Sequence, residues 1–156
     1  MSVAERIAGA LTGHHDYRQV LEIGPGTGVL TKYLIKSDRD VHLIDIDRES
    51  IAYLKAHFPS LNDRMIEGDF LKEPVEQELD PVFAIIGNFP YNISSQIVFK
   101  VIEHRERIPE FSGMFQKEVA ERVVSIHGNK TYGVTSVLLQ AFYKCEYLFT
   151  VNKEAF

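Results

Sequence analysis

Along the chain the spacing of apolar residues switches repeatedly between a helical and a strand period. Residues 3–11 have helical apolar spacing, and Val20, Leu21, Glu22 and Ile23 then read as a strand. A turn over 24–28 and a helix over 29–35 complete this first unit. The second unit has a strand over 41–44 and a helix over 49–57, which Pro59 ends. A short strand at Met65 and Ile66 runs into Gly68 and Asp69. Beyond it the pattern predicts a strand over 82–86, a helix over 95–103 and a strand over 113–116. Helices over 118–125 and 132–143 follow, then a last strand over 146–151.

Strands alternating with helices at this spacing predict an α/β domain, a mostly parallel sheet covered by helices on both faces. Crossovers should be right-handed, and ligands should gather outside the carboxyl ends of the strands. Those ends are 22–28, 45–47, 68–69 and 88–91, so four loops rich in glycine and polar residues converge on one edge. There are no repeats and no low-complexity tracts, and no internal boundary is expected.

Each of these loops suits a particular chemistry. In Glu22-Ile23-Gly24-Pro25-Gly26-Thr27-Gly28 the glycines let backbone approach a ligand, and the helix that follows offers unpaired N–H groups. A dinucleotide fingerprint would want glycine at 29, where this chain has Val29. Glu22 is poorly suited to a pyrophosphate but suits a cationic ligand; the plain alternative is a tight strand-to-helix turn. Asp45, about twenty residues further on, is placed to take the two hydroxyls of a ribose. Asp47 can instead cap the next helix. Ile46 can pack on an adenine face, and Asp69 can accept from an adenine amino group or simply make a turn.

Composition narrows the class only a little. The chain has 156 residues, 45% apolar and 25% charged, ordinary values for a globular domain. No run approaches the length of a membrane span and no signal-peptide pattern opens the chain, so a cytoplasmic location is expected. Cys145 is the one cysteine, which excludes an internal disulfide; its neighbours Tyr143, Tyr147 and Leu148 point to a core thiol. The six histidines, including the His14-His15 pair beside Gly13, show no metal-ligand spacing, and no metal is expected. A net charge of −5 counts mildly against a domain that grips RNA unaided. Lys117, Arg122 and Lys130 can form a small basic patch, or a solvated face with a Glu118–Arg122 helix pair.

The stretch Gly87-Asn88-Phe89-Pro90-Tyr91-Asn92-Ile93-Ser94 places an amide and two aromatic rings in a bend between a buried strand and a helix. If the Asn88 amide oxygen and the Phe89 carbonyl both accept from one exocyclic amino group, its nitrogen lone pair stays available for attack. Tyr91 would stack on the ring bearing that group, and Pro90 would stiffen the bend. A base held this way has to leave its helix. An asparagine turn with locally packed aromatics is the alternative.

These segments, with Gly68-Asp69-Phe70 and Gln116-Lys117-Glu118-Val119-Ala120-Glu121-Arg122, resemble the rRNA adenine N6-dimethyltransferase family. The Gln116 run and Tyr132-Gly133-Val134-Thr135-Ser136-Val137 are most similar to its bacterial small-subunit branch. The resemblance covers nearly the whole chain; the family usually has Leu where Phe89 stands. It implies a Rossmann-like methyltransferase fold and S-adenosylmethionine as cofactor. Gly24 and Gly26 would line its methionine and ribose portion, Asp45 its ribose hydroxyls, Ile46 and Phe70 its adenine faces and Asp69 its adenine amino group. Asn88 would lie beside both sulfonium and target adenine. The implied reaction is dimethylation at N6 of two adjacent adenines near the 3′ end of small-subunit rRNA, in ribosome biogenesis.

Against that family, both ends are expected to be cut. A basic arm and Gly-Gln-x-Phe-Leu segment are missing before Met1, and a last strand and small helical domain after Phe156. Residues 146–151 are then expected to pack irregularly, expose a sheet edge or pair with another copy. Phe156, matching a family aromatic beside the base pocket, is expected to fray, and such a fragment to bind cofactor and methylate weakly. Other readings are a large-subunit adenine methyltransferase conferring macrolide resistance, a nicotinamide-dependent oxidoreductase, and a non-catalytic ribosome-assembly or RNA-binding module.

Overall fold

The computed structural model describes residues 1–13, 16–90, 92–126, 128 and 133–152. Five strands form one parallel sheet: β1 (Gln19–Ile23), β2 (Asp40–Asp45), β3 (Met65–Glu67), β4 (Phe83–Asn88) and β5 (Phe111–Met114). Their order is β3-β2-β1-β4-β5. Six helices accompany them: α1 (Val3–Ala8), α2 (Thr31–Leu34), α3 (Arg48–His57), α4 (Ser94–Glu103), α5 (Lys117–Val123) and α6 (Val134–Phe142).

The strands are apolar almost without interruption because both faces of the sheet are covered. Alternate side chains divide between two cores. Val20, Val41, Leu43, Ala84 and Ile86 meet Leu30 and Leu34 beside α2, and Ile51 and Leu54 of α3. Leu21, Ile23, Ile44, Phe83 and Ile85 meet Ile97 and Val101 of α4 on the other face. Truncating a residue such as Leu21 to alanine in these cores would cost about 2–5 kcal/mol. Local chemistry marks the helix starts. Ser2 and Glu5 form a reciprocal capping box on α1. The Asp47 carboxylate caps α3 by accepting from the Glu49 and Ser50 N–H groups. At the base of the sheet, Glu110 accepts from the Thr12 N–H at 2.5 Å and the Tyr17 hydroxyl at 2.9 Å, tying the N-terminal segment to β5.

From β1 the chain winds outward through β2 to β3, then returns past β1 to lay down β4 and β5. Connections on either side of the β1–β4 boundary therefore lead away in opposite directions. In sheets of this order the carboxyl ends of two such strands flank the ligand crevice.

Three expected elements differ. β5 begins and ends two residues early, because the ladder with β4 runs from Ile85–Phe111 to Asn88–Met114. Phe115 then leaves the ladder and packs on Phe89, with ring centroids 4.9 Å apart. The helix expected over 29–35 is only α2, because turns occupy the residues before it. The last strand is absent: residues 144–152 carry no ladder. Cys145 packs with Val98, Ile102 and Leu139 on one side of the sheet, while Phe149 packs against the opposite core. The Arg6 guanidinium lies 3.8 Å from the Phe149 ring centroid. A segment that sends side chains to both faces crosses the sheet edge, and the irregular packing expected of it follows.

Candidate active site

The glycine turn closes β1 onto β2. Gly24 donates its N–H to the Ile44 carbonyl at 2.9 Å, and the Gly26 N–H reaches the Asp45 carboxylate at 3.1 Å. Gly26 has φ +57°, a left-handed conformation, and a β-carbon there would meet nothing within 4 Å. Its outer side is therefore open to a ligand. Gly28 is also left-handed, at φ +83°, and has a second reason to be glycine: a β-carbon would lie 2.5 Å from the Phe58 ring at the end of α3.

Asp45 is held at both oxygens, by Gly26 and by the Asp47 N–H at 3.0 Å. This fixes the carboxylate at the strand end, where its remaining lone pairs can accept from hydroxyls. Asp47 caps α3, the role that the sequence offered for it. Ile46 between them is 71% exposed, an apolar surface at the mouth of the crevice. The next loop is tied in by the Gly68 N–H, which donates to the Asp45 carbonyl at 2.9 Å. One Asp69 oxygen accepts from the Leu71 N–H at 2.9 Å, making the turn, and Asp69 itself is partly exposed.

Two of the expected cofactor contacts lie below the surface. Phe70 is only 4% exposed and belongs to the core on the α4 side, so it supports the Asp69 turn from below and offers a ligand almost no surface. Glu22 is 1% exposed, on the strand face covered by α2, where it accepts from the Thr31 hydroxyl at 2.6 Å. Burial pushes its carboxyl up to about 8; the Thr31 hydrogen bond lowers it and Asp45 raises it further. At neutral pH it is mostly a neutral acid beneath the glycine turn, rather than a carboxylate presented to a cation.

Lys100 was not singled out in the sequence, yet it braces this region. From α4 its ammonium donates to the carbonyls of Phe70 and Glu73, the latter at 2.8 Å. Burial lowers its pKa, while Glu76 and Asp69 act the other way. One lysine within an otherwise apolar helical stripe, Ile97-Val98-Phe99-Lys100-Val101-Ile102, was the signal available.

Across the crevice, Asn88 ends β4 and is exposed. A β-carbon on Gly24 would sit 4.0 Å from the Asn88 main-chain carbonyl oxygen, so the glycine turn and the end of β4 are neighbours. Among the described residues neither the Asn88 amide nor the Phe89 carbonyl has a hydrogen-bond partner. The Phe89 ring is buried and its N–H donates to the Met114 carbonyl at 3.2 Å. Pro90 turns the chain, its carbonyl accepting from the Ile93 N–H at 3.2 Å before α4 begins. Tyr91, Lys130, Tyr132, the His14-His15 pair and Phe156 lie outside the described residues.

Of the expected basic patch, Lys117 and Arg122 lie on α5. Lys117 pairs with Glu121 at 3.8 Å, in place of the expected Glu118–Arg122 pair. Five residues separate Lys117 from Arg122, about 140° around α5. Among the described residues no cluster could hold a metal ion, and no helix is long and apolar enough to cross a membrane.

The strand order and the placement of these loops are those of Rossmann-like methyltransferases. The dimethyladenosine transferase of Plasmodium falciparum matches with TM-score 0.63 and 36% identity, over 78% of this chain and 44% of that one. The 23S rRNA methyltransferase ErmE matches with TM-score 0.59 and 29% identity, over 76% of this chain and 47% of that one. The family model described as ribosomal RNA adenine dimethylase matches residues 2–156, and the chain belongs to that family. The ribosomal RNA small subunit methyltransferase A of Cytophaga hutchinsonii is 59% identical over 99% of this chain. The chain spans 60% of that relative's length.

Proposed function

We propose that this chain carries the transfer site of an S-adenosylmethionine-dependent enzyme that dimethylates, at N6, two adjacent adenines near the 3′ end of small-subunit rRNA. The observation that carries the reading is the pair of unspent acceptors, Asn88 amide and Phe89 carbonyl, beside the glycine turn. Acceptors with no partner among the described residues are available to a ligand, as a catalytic pair would have to be.

The residues fit the cofactor. The outer side of Gly26 admits a ligand to the backbone, Asp45 is fixed to accept from ribose hydroxyls, and exposed Ile46 suits an adenine face. Gly24 would line the same turn, and the second oxygen of Asp69 would accept from the adenine amino group. S-adenosylmethionine supplies a methyl group already activated on a sulfonium. The protein's own part is therefore orientation and lone-pair exposure. Asn88 and Phe89 accept the two N–H bonds of the adenine amine and leave its lone pair pointing out of their plane. Pro90 holds the bend, and Tyr91 is the stacking platform for the flipped base. Arg122 and Lys117 serve at most as scattered phosphate contacts.

Small-subunit rRNA is favoured over large-subunit rRNA because identity is 59% to the small-subunit relative and 29% to the 23S enzyme. An immature small subunit as the partner places the reaction in the cytoplasm. The test is methyl transfer by the natural gene product containing this sequence, on unmethylated small and large subunits. Mass spectrometry should find dimethyladenosine in the small-subunit rRNA alone; its absence there refutes the reading.

A further inference from the structure

Across the β4–β5 ladder two glycines stand opposite each other, Gly87 and Gly113. Neither needs a left-handed backbone, so room, not conformation, is the reason for glycine at both. A β-carbon on Gly113 would lie 2.2 Å from Phe89 Cε2, 2.8 Å from Cδ2 and 2.6 Å from the Gly87 carbonyl oxygen. One on Gly87 would lie 3.1 Å from Phe89 Cε1 and 2.6 Å from the Ile23 carbonyl oxygen. The Phe89 ring thus fills the space that two missing side chains leave, with Phe115 packed against it at 4.9 Å. It is 4% exposed, and its N–H is pinned to Met114 on the same neighbouring strand.

We propose that Gly113 is a positioning residue for methyl transfer: the room it leaves on β5 seats the Phe89 ring, and the seated ring aims the Phe89 carbonyl and the adjoining Asn88 amide. This rests on residues 88–91 being the transfer loop. Among the described residues the Asn88 amide and Phe89 carbonyl accept no hydrogen bond, so beyond the pairing of Asn88 with Met114 their direction comes from ring packing and the Phe89 N–H. A methyl at 113 has to lift the ring by roughly 1 Å, and displacements of that size cost up to about 100-fold when reacting groups must align. The Gly26–Asp45 hydrogen bond of the cofactor loops involves neither ring nor β5 and should be unaffected.

The test compares wild type, Gly113→Ala, Phe89→Leu and the double variant in the natural gene product, reading kcat on small subunits, cofactor Kd by calorimetry and thermal midpoint. Gly113→Ala should lose roughly 10- to 100-fold in kcat with Kd changed less than about twofold. Phe89→Leu should lose only a few-fold, and the double variant should recover at least about fivefold over Gly113→Ala. Recovery is partial because the Gly87 carbonyl still meets the new methyl. If Gly113→Ala alone does not fold, Phe89→Trp overfills the same space and should show the same selective loss of kcat. An unimpaired kcat in the folded crowded variant, or a double variant that regains its midpoint but no kcat, overturns the proposal. A wild-type protein that methylates no adenine overturns the transfer-site reading itself, a distinguishable failure.

Discussion

The two sides of the crevice are built on opposite principles. On the β1–β2 side the polar groups are spent: Asp45 is bonded at both oxygens, Gly24 and Gly68 N–H groups are taken by strand carbonyls, and Lys100 clamps the loop beyond. On the β4–β5 side the polar groups are left open, and position comes from a ring pressed between glycines. Hydrogen bonds define direction within the loop that makes them, and they suit a ligand that binds the same way every time. Apolar packing sets direction while leaving acceptors unspent, which suits a site that must take hold of a reacting amine. The contrast predicts that substitutions on the first side change stability and binding together. Those at the open acceptors of the second should change rate with stability nearly untouched.

The largest effect should follow from Asn88→Ala. Removing one acceptor from the reacting centre should cost on the order of 10²–10³ in methyl-transfer rate. The chain's stability should stay within about 0.5 kcal/mol, since the amide is exposed and unpaired. Rate and urea-unfolding measurements on one preparation check both halves, and a stability loss above about 1 kcal/mol would erase the contrast.

Asp45→Ala should act the other way. It leaves the Gly26 and Asp47 N–H groups without their acceptor, so about 1–3 kcal/mol of stability should go. Cofactor affinity should weaken by roughly 10- to 100-fold, a loss titration calorimetry reads directly.

Glu22 sharpens the comparison through pH. Its folded-state pKa is raised from 4.5 to about 8, so the folded protein holds this proton more tightly than the unfolded chain. Its contribution to stability is full below about pH 4.5 and is lost as pH rises to about 8. The loss should be on the order of 2 kcal/mol, less than the full shift implies because the site relaxes on ionisation. Glu22→Gln should remove that slope from a series of unfolding curves. An unchanged slope would show that Glu22 ionises freely within the fold.

The smallest effect belongs to Lys100→Met, which keeps the stem and removes the ammonium from the Phe70 and Glu73 carbonyls. Cofactor affinity should fall about threefold and stability by about 1 kcal/mol, with the rate at saturating cofactor unchanged. A drop in that rate would mean the brace reaches across the crevice.

Much of the site was legible because strand ends in a parallel sheet face one edge wherever the strands lie. Asp45 and Asp47 could be assigned separate roles because a cap must precede its helix, and Asp47 does. Asn88 was legible because an amide directly after a buried apolar run has no obvious structural duty. Burial depth was not legible. Glu22 and Phe70 stand at strand ends, but pattern alone did not show that α2 covers one and the α4 core takes the other. The absent last strand has a similar origin: an alternating segment needs a neighbour to pair with, and residues 146–151 instead cross an edge.

By itself, then, the amino-acid order determined the alternation of strands and helices, the caps and turns, and which residue types stand at each strand end. Those follow from local periodicity and backbone chemistry, which act within a few residues. Only the tertiary structure decided which of those residues face the crevice. Burial, the neutral state of Glu22, the Lys100 brace and the Phe89–Gly113 fit all depend on chain segments brought together from far apart, and packing density leaves each such pair little freedom.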